Sequence, residues 1–221
     1  PTTEPKTITG LSETPIAGSG VQQVKVGEEI EYTLTAELPV AQLRALTVTD
    51  ELPTGMMCAD APTIDLTNDA PWSAAGFKRP DLSDVGDVTP ICSDNQVQWS
   101  FGDVVLSNPS SDRDPTRFTF ELKFIARVQN SADVNDGNAL INGVPATSAT
   151  LEWRDESGTD NSLDYGQVEV QITEPLIALT KSWDAPSGDI DAADTIIITL
   201  TATNNGTANA YNLRILDDLL D

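Results

Sequence analysis

Along most of this chain apolar and polar residues alternate one for one. In residues 29–36, EIEYTLTA, the side chains of Ile30, Tyr32 and Leu34 fall on one side and those of Glu31, Thr33 and Thr35 on the other. The same period of two runs through LTVTDELP (46–53), QVQWSFGDVVL (96–106), RFTFELKFIARV (117–128), ATLEWR (149–154) and QVEVQIT (167–173). These runs are rich in β-branched and aromatic residues and are bounded by Gly, Pro, Asn and Asp, the pattern of half-buried antiparallel strands. Only VAQLRALTV (40–48) offers a competing helical turn. No long amphipathic helix is predicted. The chain is all-β, and a sandwich of two sheets is the natural way to bury the apolar faces.

The pattern is also stated twice. TLTA at 33–36 recurs at 199–202, and with one residue inserted Asp50 falls opposite Asp217. A period this long is a whole domain and not a solenoid turn. The reading is therefore two modules in tandem. Residues 1–174 form the first, and 175–221 hold the opening strands of a second, truncated one. Pro175 at the junction stiffens the connection. Residues 54–95, rich in Pro, Asp and Gly, read as a long decorated loop of the first module. The Pro/Thr opening PTTEPK and the stop inside LDDLLD suggest a segment of a longer chain.

Composition changes the picture chiefly through charge. Twelve Lys and Arg against 35 Asp and Glu give a net charge of −23 over 221 residues. Such a surface repels phosphate backbones and anionic lipid, so nucleic acid and direct membrane insertion are excluded as partners. A hydrophobic content of 39% is that of a folded globular protein. No stretch approaches the ~20 apolar residues of a membrane span, and no signal peptide is evident. The chain has no histidine, which removes the usual general base of hydrolases and the commonest zinc ligand. No nucleophile has a base beside it, so an enzyme is not expected. Cys58 and Cys92 either form a disulfide, worth about 3–4 kcal/mol on chain-entropy grounds, or remain two free buried thiols. A disulfide implies an oxidising compartment.

Several segments, taken in order, resemble the modules of large bacterial surface proteins known as isopeptide-forming fimbrial-type domains. They are KTITG, VKVGEEIEYTLTAELP, LTVTDELPTGM, VQWSFGDVV, FTFELKFIARVQN and NALINGVPATSATLEW. The stretches PLIALTKSWD and DTIIITLTATNNGTANAYNLRILDDLL resemble the shorter conserved-repeat domain that follows them in such proteins. The resemblance implies Ig-like sandwiches outside a bacterium, in a non-catalytic structural or adhesive module of an adhesin, fimbria or matrix fibre. The expected partners are neighbouring repeats and other copies of the protein. The competing reading is a ligand- or carbohydrate-binding β-domain that uses the 54–95 loop, with Trp72 as its exposed aromatic.

The resemblance also implies a reaction, in which a Lys amine joins an Asn carboxamide and releases ammonia with the help of a nearby acid. Lys6 in EPKTITG matches the lysine of the first strand. Asn142 in ALINGVPATSATLEW matches the asparagine near the last strands, with Asn138 as its substitute, and Asp50 in TVTDELP is the candidate acid. Without that reaction, Lys6 is an exposed terminal lysine, Asn142 a turn residue and Asp50 a cap at a strand end.

Two further patterns carry chemistry. DVNDGN (133–138) sets Asp133, Asn135 and Asp136 in a turn, a set of hard oxygens that suits structural Ca²⁺, as does GDIDAAD (188–194). Asx-rich turns also form without metal, so the cofactor expectation is none, or calcium alone. NGT at 205–207 fits a glycosylation sequon but reads more simply as a hairpin turn, and Trp99 and Trp153 read as core.

Overall fold

The computed structural model describes residues 1–13, 20–65, 77–78, 88–106, 117–131, 134–143, 147–184, 191–210 and 212–218. Among them every regular element is a strand. The first sheet is built on β4 (Glu29–Pro39) and β11 (Arg117–Val128), paired antiparallel without interruption from Pro39↔Arg117 to Glu29↔Arg127. The edges of that pair are filled by β1 (Thr2–Thr3) and β2 (Thr7–Leu11) on β4, and by β6 (Met56–Cys58) and β7 (Thr63–Asp65) on β11.

The second sheet is centred on β5 (Gln42–Glu51), which lies between β10 (Gln96–Leu106) and β13 (Ala149–Arg154). Its edges are β14 (Asp160–Asp164) on β13, and β8 (Phe77–Lys78) and β9 (Ile91–Ser93) on β10. A third sheet joins β12 (Ala139–Gly143), β15 (Gln167–Ile172) and β3 (Gln22–Val24), the last pair parallel.

Alternation decides which side chains go inside. On β4 the buried set is Ile30, Tyr32, Leu34, Ala36 and Leu38, and on β11 it is Phe120, Leu122, Phe124, Ala126 and Val128. The opposing sheet contributes Leu46, Val48, Val97, Trp99 and Phe101. Aromatic rings fill the middle, with Tyr32 stacked on Phe124 at 5.2 Å and Phe101 edge-on to Phe120 at 5.9 Å. Trp99 is core, as expected, whereas Trp153 is only partly buried against it.

The helical turn that competed over 40–48 is absent, and its origin is visible. On β5 the inward residues Leu43 and Leu46 are three apart because Ala45 adopts φ 49° and its N–H donates to Asp103 Oδ1 at 2.9 Å. On β10 the matching step from Phe101 to Val104 passes through Gly102 at φ 72°. Both strands bulge at the same place, and the register shifts there. A bulge inserts one residue into the period of two, so a strand can imitate an i, i+3 helical spacing.

The 54–95 segment is not a loop throughout, since β6, β7, β8 and β9 lie within it. Cys58 on β6 and Cys92 on β9 are joined by a disulfide, with Cα atoms 5.7 Å apart. Because β6 pairs with β11 and β9 with β10, the bridge ties one sheet of the sandwich to the other. Trp72 lies outside the described residues.

The chain beyond Pro175 contributes β16 (Ile177–Asp184) and β17 (Ile197–Asn204), an antiparallel pair. The junction is held by hydrogen bonds. Asp136 Oδ1 accepts from the Glu174 N–H at 2.8 Å and from the Thr207 hydroxyl, and Asn205 N–H donates to the Leu176 carbonyl at 2.7 Å. The NGT segment is thus not a turn between two paired strands. It packs on the linker, where a Cβ on Gly206 would collide with the Glu174 carbonyl oxygen.

Candidate cross-linking site

Three sheets each deliver one polar residue to the same buried place. Asp50 continues the inward phase of β5 after Leu46 and Val48, and its neighbours across the sheet are Val97 and Ala149. An acid at a core phase of a central strand has no water to face, and it is fully buried. Lys6 immediately precedes β2. Its backbone N–H donates to the Tyr165 carbonyl at 2.8 Å, and its side chain runs inward until Nζ meets Asp50 Oδ2 at 2.6 Å. Neither side chain has any solvent exposure.

Asn142 sits on β12 opposite Val168 and is also fully buried. The next residue, Gly143, holds φ 123°, and a Cβ there would collide with the Gly166 carbonyl oxygen. The Gly143 N–H donates to the Thr147 hydroxyl at 2.8 Å, and that hydroxyl points on to Asn142 Oδ1 at 3.5 Å. Two buried atoms of the trio have no hydrogen-bond partner: Asn142 Nδ2 and Asp50 Oδ1. The Asn142 amide nonetheless lies near enough to Asp50 to act on its carboxyl as a side-chain hydrogen-bond partner.

Electrostatics drive the pair toward its neutral form. Burial pushes the Lys6 amine below its ordinary value, against the opposing charge and hydrogen bond of Asp50. Burial also holds the Asp50 carboxyl above its ordinary value, against the opposing influence of Lys6 and a smaller one from the Asn142 amide. Desolvation penalises the charged form of each. Both shifts lean toward a neutral amine beside a protonated carboxyl, against the attraction that the two charges exert on each other.

The wall of the pocket is aromatic. Lys6 Nζ lies 5.8 Å from the centre of the Tyr32 ring. The Tyr32 and Tyr165 phenols are raised by burial first and by Asp50 second, so both keep their protons and act as lining. Tyr32 was legible only as a core position, and neither Tyr165 nor Thr147 stood out in the sequence.

The other candidates separate from this site. Asn138 is exposed in a turn, where its N–H donates to the Asn135 carbonyl, so it does not substitute for Asn142. Asp133 lies outside the described residues, and Asp136 is engaged at the module junction. Asp191 and Asp194 close a turn on each other through the Asp191 N–H and the Asp194 carboxylate at 2.8 Å. Among the described residues no group of three or more His, Cys, Asp and Glu side chains is arranged to hold a metal.

No family model matches the chain, and no curated protein matches it. Solved structures do match. The major pilin subunit BcpA of Bacillus cereus aligns over 92% of this chain and 56% of its own, with a TM-score of 0.50 at 13% identity. The pilus backbone RrgB of Streptococcus pneumoniae aligns over 90% of this chain and 74% of its own, with a TM-score of 0.39 at 13% identity. The chain therefore spans little more than half the length of BcpA. The first of these likenesses defines the class of the fold: an Ig-like β-sandwich of the pilin type.

Proposed function

We propose that this chain is a load-bearing unit of a bacterial surface fibre, locked internally by an amide bond between Lys6 and Asn142. The observation that carries the reading is the convergence of Lys6, Asp50 and Asn142, fully buried and drawn from three sheets. The neutral Lys6 amine attacks Asn142 Cγ while the Asp50 carboxyl donates to the amide oxygen. The Cγ–Nδ2 bond then breaks, and the nitrogen leaves as ammonia with the proton that the amine gives up. Holding the reactants together removes most of the entropic barrier, so no external catalyst is required.

The bond has a mechanical meaning. Tension applied between the first strand and the end of the first module passes from Lys6 directly to Asn142. Everything from 7 to 141, including the long β4–β11 pair and the Cys58–Cys92 bridge, is bypassed. A module wired this way resists extension without relying on hydrogen bonds. The same reading places the protein outside the cell, with other copies or neighbouring repeats as its partners, and the pilin-type fold supports it.

The test is the intact mass of the purified chain. A deficit of one ammonia beyond the two hydrogens of the disulfide, located by digestion to a Lys6–Asn142 linked peptide, is expected. A full mass at both residues after complete folding overturns the reading.

A further inference from the structure

Two nitrogens compete for the side-chain carbon of Asn142. One is Lys6 Nζ, and the other is the backbone nitrogen of the next residue, Gly143. An asparagine followed by glycine is prone to close on itself, because glycine has no side chain to shield its nitrogen. Gly143 N bonds to Asn142 Cγ, the Cγ–Nδ2 bond breaks, and ammonia leaves with the Gly143 amide proton. Water then opens the succinimide to an aspartyl or isoaspartyl residue. This reaction expels the same ammonia as the cross-link, and it destroys the acceptor.

The fold leaves no choice of neighbour. At φ 123°, with the Gly166 carbonyl oxygen where a Cβ would stand, position 143 accepts only glycine. The residue that lets β12 lie against β15 is thus the one most hazardous to Asn142.

One side chain holds both parts of the hazard. Thr147 Oγ1 accepts the Gly143 N–H at 2.8 Å, and the Thr147 N–H donates to the Gly143 carbonyl at 2.9 Å. The hydroxyl's own hydrogen goes to Asn142 Oδ1 at 3.5 Å. Gly143 is buried, so its N–H depends on that hydroxyl for a partner. To reach Asn142 Cγ the glycine nitrogen must turn its peptide plane, and that rotation breaks the bond to Thr147.

We propose that Thr147 determines which nitrogen takes the Asn142 carbon: it ties down the Gly143 N–H and so steers ammonia loss to Lys6. Thr147 is a positioning residue and not a reactant. The proposal rests on the reading of Lys6, Asp50 and Asn142 as a cross-link, and it names what protects the acceptor until the amine attacks.

The experiment uses the whole chain with Thr147→Val, which keeps the branched shape and loses the hydroxyl, and with Thr147→Ser, which keeps the hydroxyl. Each is also made on Lys6→Met, where no amine competes. Folded chains, checked by circular dichroism, are incubated at mildly alkaline pH and digested. Mass spectrometry and enzymatic isoaspartate methylation then read the Lys6–Asn142 linked peptide and the state of position 142.

The parent and Thr147→Ser are expected to carry the linked peptide. Thr147→Val is expected to carry less of it and to gain aspartate and isoaspartate at 142. On Lys6→Met alone, and with Thr147→Ser added, the asparagine is expected to survive; with Thr147→Val added it converts. Asn205 also precedes a glycine, and its conversion is expected to be equal in every chain, which marks the effect as local. If Thr147→Val only misplaces the acceptor, linked peptide falls while Asn142 stays intact, and the proposal is overturned. Equal conversion of Lys6→Met with and without Thr147→Val, beside a cross-linked parent, overturns the steering while the cross-link stands. A parent without the linked peptide overturns the cross-link reading and the steering together.

Discussion

Lys6 Nζ and Asp50 Oδ2 are 2.6 Å apart in a part of the protein that no water reaches, on residues 44 positions distant in the chain. Two opposite charges buried in this way are rarely the most stable use of core volume, because desolvation offsets much of their attraction. On the proposed reading the amine is a reactant and the acid its helper: the bond from Lys6 to Asn142 consumes the amine and leaves Asp50 a bystander.

Replacement of Asn142 separates the two roles. Asn142→Ala leaves Lys6 and Asp50 in place but removes the acceptor, so the ammonia deficit disappears. The proposed cross-link would close a loop of most of the first module, which loop-closure entropy values at about 5 kcal/mol. For a module of this size that corresponds to about 10–20 °C in thermal midpoint, measured by calorimetry against the parent chain. Asp50→Ala is expected to retain Lys6 and Asn142 unbonded in mass spectra, because the carbonyl then has no acid to polarise it.

The pH dependence of the Asn142→Ala variant follows from the two shifts. Asp50 is raised above 3.8, so the folded state keeps a proton that the unfolded state loses, and stability falls as pH rises from 3.8 through the folded value. Lys6 is lowered below 10.5, so the unfolded state holds a proton that the folded state has released, and stability climbs as pH rises from the folded value toward 10.5. Urea titrations across pH are therefore expected to show a trough between 3.8 and 10.5. In the cross-linked parent the alkaline limb vanishes, since Lys6 no longer titrates. A flat profile in the variant would mean that the pair stays ionised in the core.

Gly143→Ala tests placement rather than chemistry. At φ 123°, with the Gly166 carbonyl oxygen standing where the new methyl group would go, β12 and β15 must separate to admit it. Asn142 moves with them. Cross-link yield is expected to drop well below half while circular dichroism still reports strands, and an unchanged yield would show that the acceptor is held by something other than this turn.

The Tyr165 hydroxyl is buried without a hydrogen-bond partner. Tyr165→Phe removes that orphan and is expected to leave stability unchanged or raise it by about 1 kcal/mol, with full cross-linking. Tyr165→Ala opens the wall of the pocket and is expected to cost about 3–5 kcal/mol. Loss of the amide bond in the phenylalanine variant would assign the hydroxyl a part in proton transfer.

Replacing both Cys58 and Cys92 with alanine removes a bridge of sequence separation 34. The expected destabilisation is about 3–4 kcal/mol in chemical denaturation. Under force the variant and its parent are expected to behave alike, because the bridge lies inside the segment that the Lys6–Asn142 bond bypasses. A longer unfolding extension on reduction alone would place the load elsewhere.

The sequence by itself determined the period of the strands and hence which residues of β4, β10 and β11 turn inward, because alternation on a pleated backbone is a local property. It left Asp50 open between the candidate acid of the resemblance and a cap at a strand end, although the residue stands in phase with Leu46 and Val48. The internal copy from TLTA onward was equally visible, being a matter of residue identity alone. Only the tertiary structure decided that Lys6 is buried rather than a solvated terminus, and that it meets Asp50. It buried Asn142, already the first choice of the resemblance, left Asn138 exposed, and put Tyr165 beside the site as anchor and wall. Those outcomes depend on which sheet lies over which, and on bulges at Ala45 and Gly102 that reset the phase of two strands together. Such long-range pairings are selected by the packing of the whole core, and no window of neighbouring residues contains them.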